Sequence, residues 1–394
     1  MAKITLDWNK YVAAARETVA EGMVLLENNG ALPLKKDEEL AVFGRIQEHY
    51  YKSGTGSGGM VNVDRVWNIT DGLTECGIRL NEELRGVYAE WEKENPFDPG
   101  VGWGGEPWSQ KEMPLSDELV KKIAQSSRAA LCIIGRTAGE EQDATDTEGS
   151  YRLTQAELDM LKKVRANFDK MTVLLNVGGI MDMSFVKTVK PDAVIYGWQG
   201  GMTGGLGTAD VLTGKVSPSG KLSDTIAESV KDYPSAEWFG NTQREFYRED
   251  IYVGYRYFET FAKDKVVYPF GYGLSYTKFK LTTKAEANSA SVSIDVTVKN
   301  VGEYSGKEVV QVYFQAPQGR LGNPLRRLCA YNKTQTLAAG EEQTLHFEIP
   351  LDELASYDDG GVTGNKSCYV REAGRFTFYV GTDVRSAGEV YSFT

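Results

Sequence analysis

Four short runs in the last third of the chain alternate strictly between apolar and polar residues. Val292, Ile294, Val296 and Val298 are interleaved with Ser, Asp, Thr and Lys, and Val310, Val312 and Phe314 repeat the pattern. Leu345, Phe347 and Ile349, then Phe376, Phe378 and Val380, do so again. Period-two alternation puts one face of a strand in a core and the other in water, a pattern that no helix can satisfy. Several such runs, separated by turns containing Gly and Asn, predict an all-β sandwich over residues 280–394. The alternative is an edge extension of a sheet in the preceding domain. Composition marks the same boundary, since all seven tryptophans and all nine methionines precede residue 239.

Residues 1–230 carry a different pattern. Asp7 is placed to cap a helix whose apolar face runs through Val12, Ala15, Val19, Met23 and Leu26, with Asn28-Asn29-Gly30 as its stop. Apolar strand-like runs follow at residues 40–43, 130–134, 172–177 and 192–196. Three of them have almost no polar residue, as strands covered on both faces by helices should. Between them lie helical patterns. The clearest begins with Thr154 and Glu157, a capping box, and turns Leu158, Leu161 and Phe168 inward. Strand–helix alternation predicts an α/β sandwich, a mostly parallel sheet flanked by helices, over residues 1–230. Residues 231–279 read as a connecting segment. At roughly 150 residues per domain, a length of 394 agrees with two to three domains.

Several function classes are disfavoured. The net charge of −11 repels phosphate backbones, and no basic run exceeds Arg326-Arg327, so no nucleic-acid partner is expected. No stretch reaches the ~18 apolar residues of a membrane span. The first residues lack the apolar core of a secretory signal, which points to the cytoplasm. Cys76, Cys132, Cys329 and Cys368 have no paired-ligand spacing and suit reduced thiols. With only His49 and His346 as imidazoles, neither a metal site nor a His-based triad is expected, and acid–base chemistry falls to carboxylates.

Each buried strand runs into glycine: Gly44, Gly135, Gly178-Gly179 and Gly197. Ligands of open α/β sheets bind beyond the carboxyl ends of the strands, so the segments after these glycines are the place to look. The segment after Gly135 carries Glu140, Glu141, Asp143, Asp146 and Glu148. Crowded carboxylates raise one another's pKa, as a general acid requires; an acidic, solvated loop is the plainer alternative. The stretch from Gly54 to Gly59, including Ser57, is no Walker A loop, because Lys52 precedes its glycines. A mobile or sugar-facing loop is expected there. The loop 95–108, with Trp103 and Trp108, is too rich in Gly and Pro for regular structure. Its tryptophans suit either sugar C–H faces or anchoring of the loop to its own domain.

Several stretches resemble glycoside hydrolase family 3, the β-glucosidase family. They include Ala20-Glu21-Gly22-Met23-Val24-Leu25-Leu26-Glu27-Asn28, and Ala209-Asp210-Val211-Leu212-Thr213-Gly214 running into Ser217-Pro218-Ser219-Gly220-Lys221-Leu222. The strongest are Tyr252-Val253-Gly254-Tyr255-Arg256-Tyr257-Phe258 and Tyr268-Pro269-Phe270-Gly271-Tyr272-Gly273-Leu274-Ser275-Tyr276-Thr277. The C-terminal strands match the fibronectin type III-like domain that often follows in that family. The resemblance implies retaining hydrolysis of a terminal β-linked glucose or related sugar in an oligosaccharide or aryl β-glucoside, without cofactor. It assigns the acid/base role to Glu140, in its Gly-Glu context, with Glu141 as the neighbouring alternative. Ser57, Trp103 and Trp108 are the expected substrate-binding residues. The family's nucleophile belongs to a (β/α)8 barrel of ~250 residues, for which this chain has no room. A barrel in cis or trans is therefore the expected partner, as in members with reversed domain order, and self-association is possible as well. Gly200-Gly201-Met202-Thr203-Gly204-Gly205, where the family more often has an acidic residue, reads as a structural helix entry. The rival reading is a non-catalytic module binding sugar or protein on the same scaffold.

Overall fold

A computed structural model of the chain describes residues 5–59, 61–140, 143–241 and 243–394. They form two compact units, Met1–Gly220 and Lys221–Thr394.

The first unit is built from α1 (Trp8–Gly22), β1 (Val24–Asn28), β2 (Glu39–Phe43), α2 (Ile69–Glu75), β3 (Arg79–Leu80), α3 (Glu82–Glu94), α4 (Asp117–Ser126), β4 (Ala129–Arg136), α5 (Gln155–Asn167), β5 (Lys170–Val177), α6 (Ser184–Val189), β6 (Ala193–Tyr196) and α7 (Gly204–Leu212). Its six strands lie in the order β1-β6-β5-β4-β2-β3. All neighbours are parallel except β1, which runs antiparallel to β6. β4 is buried along its whole length and β5 along all but its first residue, which explains why their sequences carry almost no polar residues.

Asp7 caps α1 by accepting from the Lys10 amide, and the Thr154–Glu157 capping box of α5 is formed. The end of α1 differs from expectation. The helix stops at Gly22, Met23 is extended, and Leu26 lies in a strand whose Val24 pairs with Tyr196. The run from Met23 to Leu26 is wholly buried, so pairing at the sheet edge outweighs the helical spacing that links it to Val19. α1 instead packs on α7. A side chain at Gly207 would meet Val19 at 2.6 Å, and the Arg16 guanidinium forks onto both Asp210 oxygens at 2.5 and 2.6 Å. The Gly200–Gly205 segment is structural, as expected: a Cβ on Gly204 would meet the Tyr50 ring at 2.0 Å.

The second unit comprises β7 (Ile226–Ala227), α8 (Tyr255–Phe261), β8 (Val266–Tyr268), β9 (Phe279–Ala287), β10 (Ser291–Asn300), β11 (Val309–Gln315), β12 (Arg327–Lys333), β13 (Glu342–Pro350), β14 (Ser356–Asp358), β15 (Cys368–Val370), β16 (Phe376–Gly381) and β17 (Gly388–Phe393). The sheets β13-β10-β9 and β12-β11-β16-β17 are antiparallel throughout. The four alternating runs fall on β10, β11, β13 and β16, and their apolar sides form one core. Much of the segment 231–279 is folded within this unit. Tyr255 stacks on Phe270 at 4.4 Å and accepts from the Leu328 amide, while Gln311 donates to the Gly271 carbonyl. The two aromatic motifs are therefore packing elements. All four cysteines are free thiols, and among the described residues no helix is long and apolar enough to cross a membrane.

Candidate active site

The chain path through the sheet creates a crevice. From β2 it moves outward to β3, then returns to β4 on the other side of β2 and continues to β5 and β6. Segments leaving the carboxyl ends of β2 and β4 thus diverge to opposite sides, and a topological switch of this kind is where open α/β sheets bind ligands. The glycine-rich stretch follows β2, and Glu140 follows β4 by four residues.

The two segments close on each other. The Thr55 amide donates to the Ala138 carbonyl at 2.5 Å, and Thr55 bridges Gly139. Both the amide and the hydroxyl of Ser57 donate to Glu140 Oε2, at 2.9 and 2.6 Å. Glycine is required for this approach. A Cβ on Gly56 (φ +76°) would lie 2.6 Å from the Glu140 Cβ, and one on Gly54 would lie 2.2 Å from the Ala138 oxygen. The stretch is thus neither a phosphate cradle nor an untethered loop; it props a carboxylate.

The Ser57 hydroxyl, with its amide, holds the exposed Glu140 carboxyl below the ordinary glutamate range. This corrects the expectation that crowded acidic neighbours would raise it. Asp146 instead pairs with Arg152 at 3.2 Å, and Asp143 and Glu148 are solvated. Glu141 lies outside the described residues. Ser57→Ala should therefore move the Glu140 titration upward, read by carbon-detected NMR of the side-chain carboxyl. The Ser57 bonds favour the folded state above the ordinary glutamate pKa and lose that effect as pH falls through the depressed value. An unmoved titration would mean that Ser57 does not set it.

Both ends of the segment carrying Glu140 are tied to the sheet by Arg136, the buried last residue of β4. Its guanidinium forks onto Glu157 at 2.6 and 2.7 Å and donates to the carbonyls of Gly135, Ser150 and Arg152 at 2.7, 2.9 and 3.1 Å. Glu157 Oε2 also accepts from the Thr154 amide. The capping box thus doubles as the anchor of the site segment, a role that its local spacing does not reveal.

Beside Glu140 lies a cavity of about 510 Å³, lined by the glycine-rich stretch, Tyr51, Phe97 and Glu106 among others. Trp103, 51% exposed, reaches within 3.5 Å of the Gly56 Cβ position. Neither tryptophan lines the cavity itself; the Trp108 carbonyl accepts from the Thr137 amide, so this end of the loop is anchored to its own domain. Lys52 donates to the Gly59 and Val61 carbonyls and shapes the same stretch. Sequence reasoning missed Phe97 and Glu106, although both lie in the loop singled out for its aromatics. Glu106 is half-buried, and desolvation with the nearby Asp98 raises its pKa. A third carboxyl, Glu112, is pushed up to about 7 by burial while accepting from the Arg45 and Met113 amides. It is a core group outside the cavity.

Comparison with known proteins bears on the family and the fold. The profile of the glycosyl hydrolase family 3 C-terminal domain matches residues 23–276, and that of a fibronectin type III-like domain matches residues 308–384. A β-glucosidase of Ruminococcus albus is 59% identical over 391 residues, covering 99% of this chain and 41% of that protein. A β-glucosidase of Paenibacillus barengoltzii superimposes with a TM-score of 0.96 at 51% identity, covering 99% of this chain and 43% of that one. β-Glucosidase 3B of Thermotoga neapolitana, solved with glucose, superimposes with a TM-score of 0.90 at 33% identity, covering 99% and 55%. The chain therefore spans about half the length of the relatives it matches.

Proposed function

The chain belongs to glycoside hydrolase family 3, and from that premise we propose that it is the acid/base-bearing portion of a retaining β-glucosidase. The observation carrying this reading is the exposed Glu140 carboxylate, held by Ser57 at the switch-point crevice beside a cavity of about 510 Å³. Ser57 binds Oε2, and among the described residues Oε1 accepts no hydrogen bond. Oε1 is the oxygen that would give its proton to the glycosidic oxygen and later take one from water. Trp103, exposed near the same edge, would give the sugar an aromatic surface.

A retaining mechanism needs a second carboxylate about 5–5.5 Å from the first, acting as nucleophile. In this reading the nucleophile comes from a barrel supplied in cis or trans, and the roughly twofold greater length of the relatives supports it. A carboxylate arriving at that distance would raise the Glu140 pKa and load it with the proton that Ser57 alone disfavours. Val61, Val101 and Trp103 are exposed around this edge, as suits a face that a further domain covers.

The test is complementation. The chain alone should not turn over 4-nitrophenyl β-glucoside, whereas the chain joined to a family 3 barrel should. Turnover by the chain alone, abolished by Glu140→Gln, would place the nucleophile on a local carboxylate such as Asp143 or Asp146. Inactivity of the joined form, with a barrel that works beside its native partner, would favour the non-catalytic module.

A further inference from the structure

The second unit holds a cavity of about 550 Å³ that has no part in the reaction proposed above. Three arginines line it: Arg256 on α8, Arg327 at the start of β12, and Arg320 in the connection before β12. Among the described residues, none of the three forms an ion pair with a carboxylate. Asp358, on the same wall, is occupied by the amides of Gly361, Val362 and Thr363 and by the Thr363 hydroxyl. Asp250 and Asp359 are exposed.

Arg327 is a built feature. Its Cζ lies 4.7 Å from the Phe314 ring centroid, and Nη1 donates to Ser356 Oγ at 3.2 Å. Ser356 in turn donates to Asn323 Oδ1 at 2.7 Å. Desolvation, and then the like charge of Arg256, hold the Arg327 guanidinium below its usual range. Neither guanidinium is spent on a carboxylate although aspartates share the cavity, so both keep donors for an incoming anion, and a guanidinium fork suits the two oxygens of a carboxylate. At the rim, Tyr357 and Tyr369 face each other across β14 and β15, with ring centroids 5.2 Å apart and 51% and 75% exposure. Exposed aromatic faces of this kind take up pyranose C–H surfaces.

We propose that this cavity binds an oligosaccharide bearing a uronic acid, with the carboxylate received by Arg256 and Arg327 and a sugar ring laid against Tyr357 or Tyr369. A simple oxyanion would use the arginines without the tyrosines, and a neutral sugar the tyrosines without the arginines. The cavity volume falls within the range of small-molecule sites, roughly 300–1,000 Å³.

Calorimetric titration of the 394-residue chain with cellobiouronic acid tests this, with cellobiose and inorganic phosphate as comparison probes. Saturable binding of the uronate is expected, at least about tenfold tighter than cellobiose, the factor that one charge-assisted contact is worth. Arg256→Gln should weaken it by about the same factor, and Tyr357→Ala or Tyr369→Ala severalfold. Trp103→Ala should leave it unchanged, which separates this site from the one beside Glu140. Arg327→Gln also removes packing on Phe314, so Arg256→Gln decides the matter, provided its melting temperature stays within about 2 °C of the parent. Equal affinity for cellobiose, phosphate binding that ignores the tyrosines, or no binding would each overturn the proposal.

Discussion

In the barrel-complemented enzyme, Glu140→Ala should lower cellobiose hydrolysis by roughly 10²–10⁴-fold, the usual contribution of a positioned general acid. Hydrolysis of dinitrophenyl β-glucoside should fall far less in its first step. A sugar leaving as an alkoxide needs a proton in the transition state, whereas dinitrophenolate leaves without one. The second step then loses its base, so glycosyl-enzyme accumulates and azide, which needs no deprotonation, should capture it as β-glucosyl azide. The raised pKa of the half-buried Glu106 beside the same cavity makes Glu106→Gln the necessary control. If Glu106→Gln shows this leaving-group pattern and Glu140→Ala does not, the roles belong to the other carboxylate. If Glu141→Ala shows it, the register is off by one.

What the sequence disclosed depends on the range of the interaction. The alternation on β10, β11, β13 and β16, the buried runs of β4 and β5, and the Thr154–Glu157 box are local patterns, and each is present in the structure. The placement of Glu140 beyond a strand's carboxyl end was legible for the same reason. Its titration was not, because Ser57, which sets it, lies 83 residues away and no spacing connects them. The acidic composition of the segment was a misleading local signal, since the Asp146–Arg152 pair and solvent separate what the sequence crowds together. Leu26 failed in the opposite sense. Helical spacing is a local rule, and it yielded to an edge pairing with β6 that lies about 170 residues downstream.

Arg136→Met should destabilise the first unit by about 3–5 kcal/mol, because it strands the Glu157 carboxylate in the core and releases three carbonyls. Urea denaturation followed by tryptophan fluorescence would read this as a lower midpoint, most of the tryptophans lying in that unit. Glu157→Met should cost as much or more, since it leaves the guanidinium unpaired and also removes the side-chain half of the capping box. The double variant separates stability from positioning. With both charges gone, an apolar pair of similar volume should recover much of the lost stability, as replaced buried ion pairs often do. The carbonyls of Ser150 and Arg152 would still lack their donor, so the segment carrying Glu140 should stay loose. In the complemented enzyme, a double variant as stable as the parent should therefore lose kcat on cellobiose while keeping much of its activity on dinitrophenyl glucoside. Parental kcat on both substrates would show that Arg136 and Glu157 only hold the fold together.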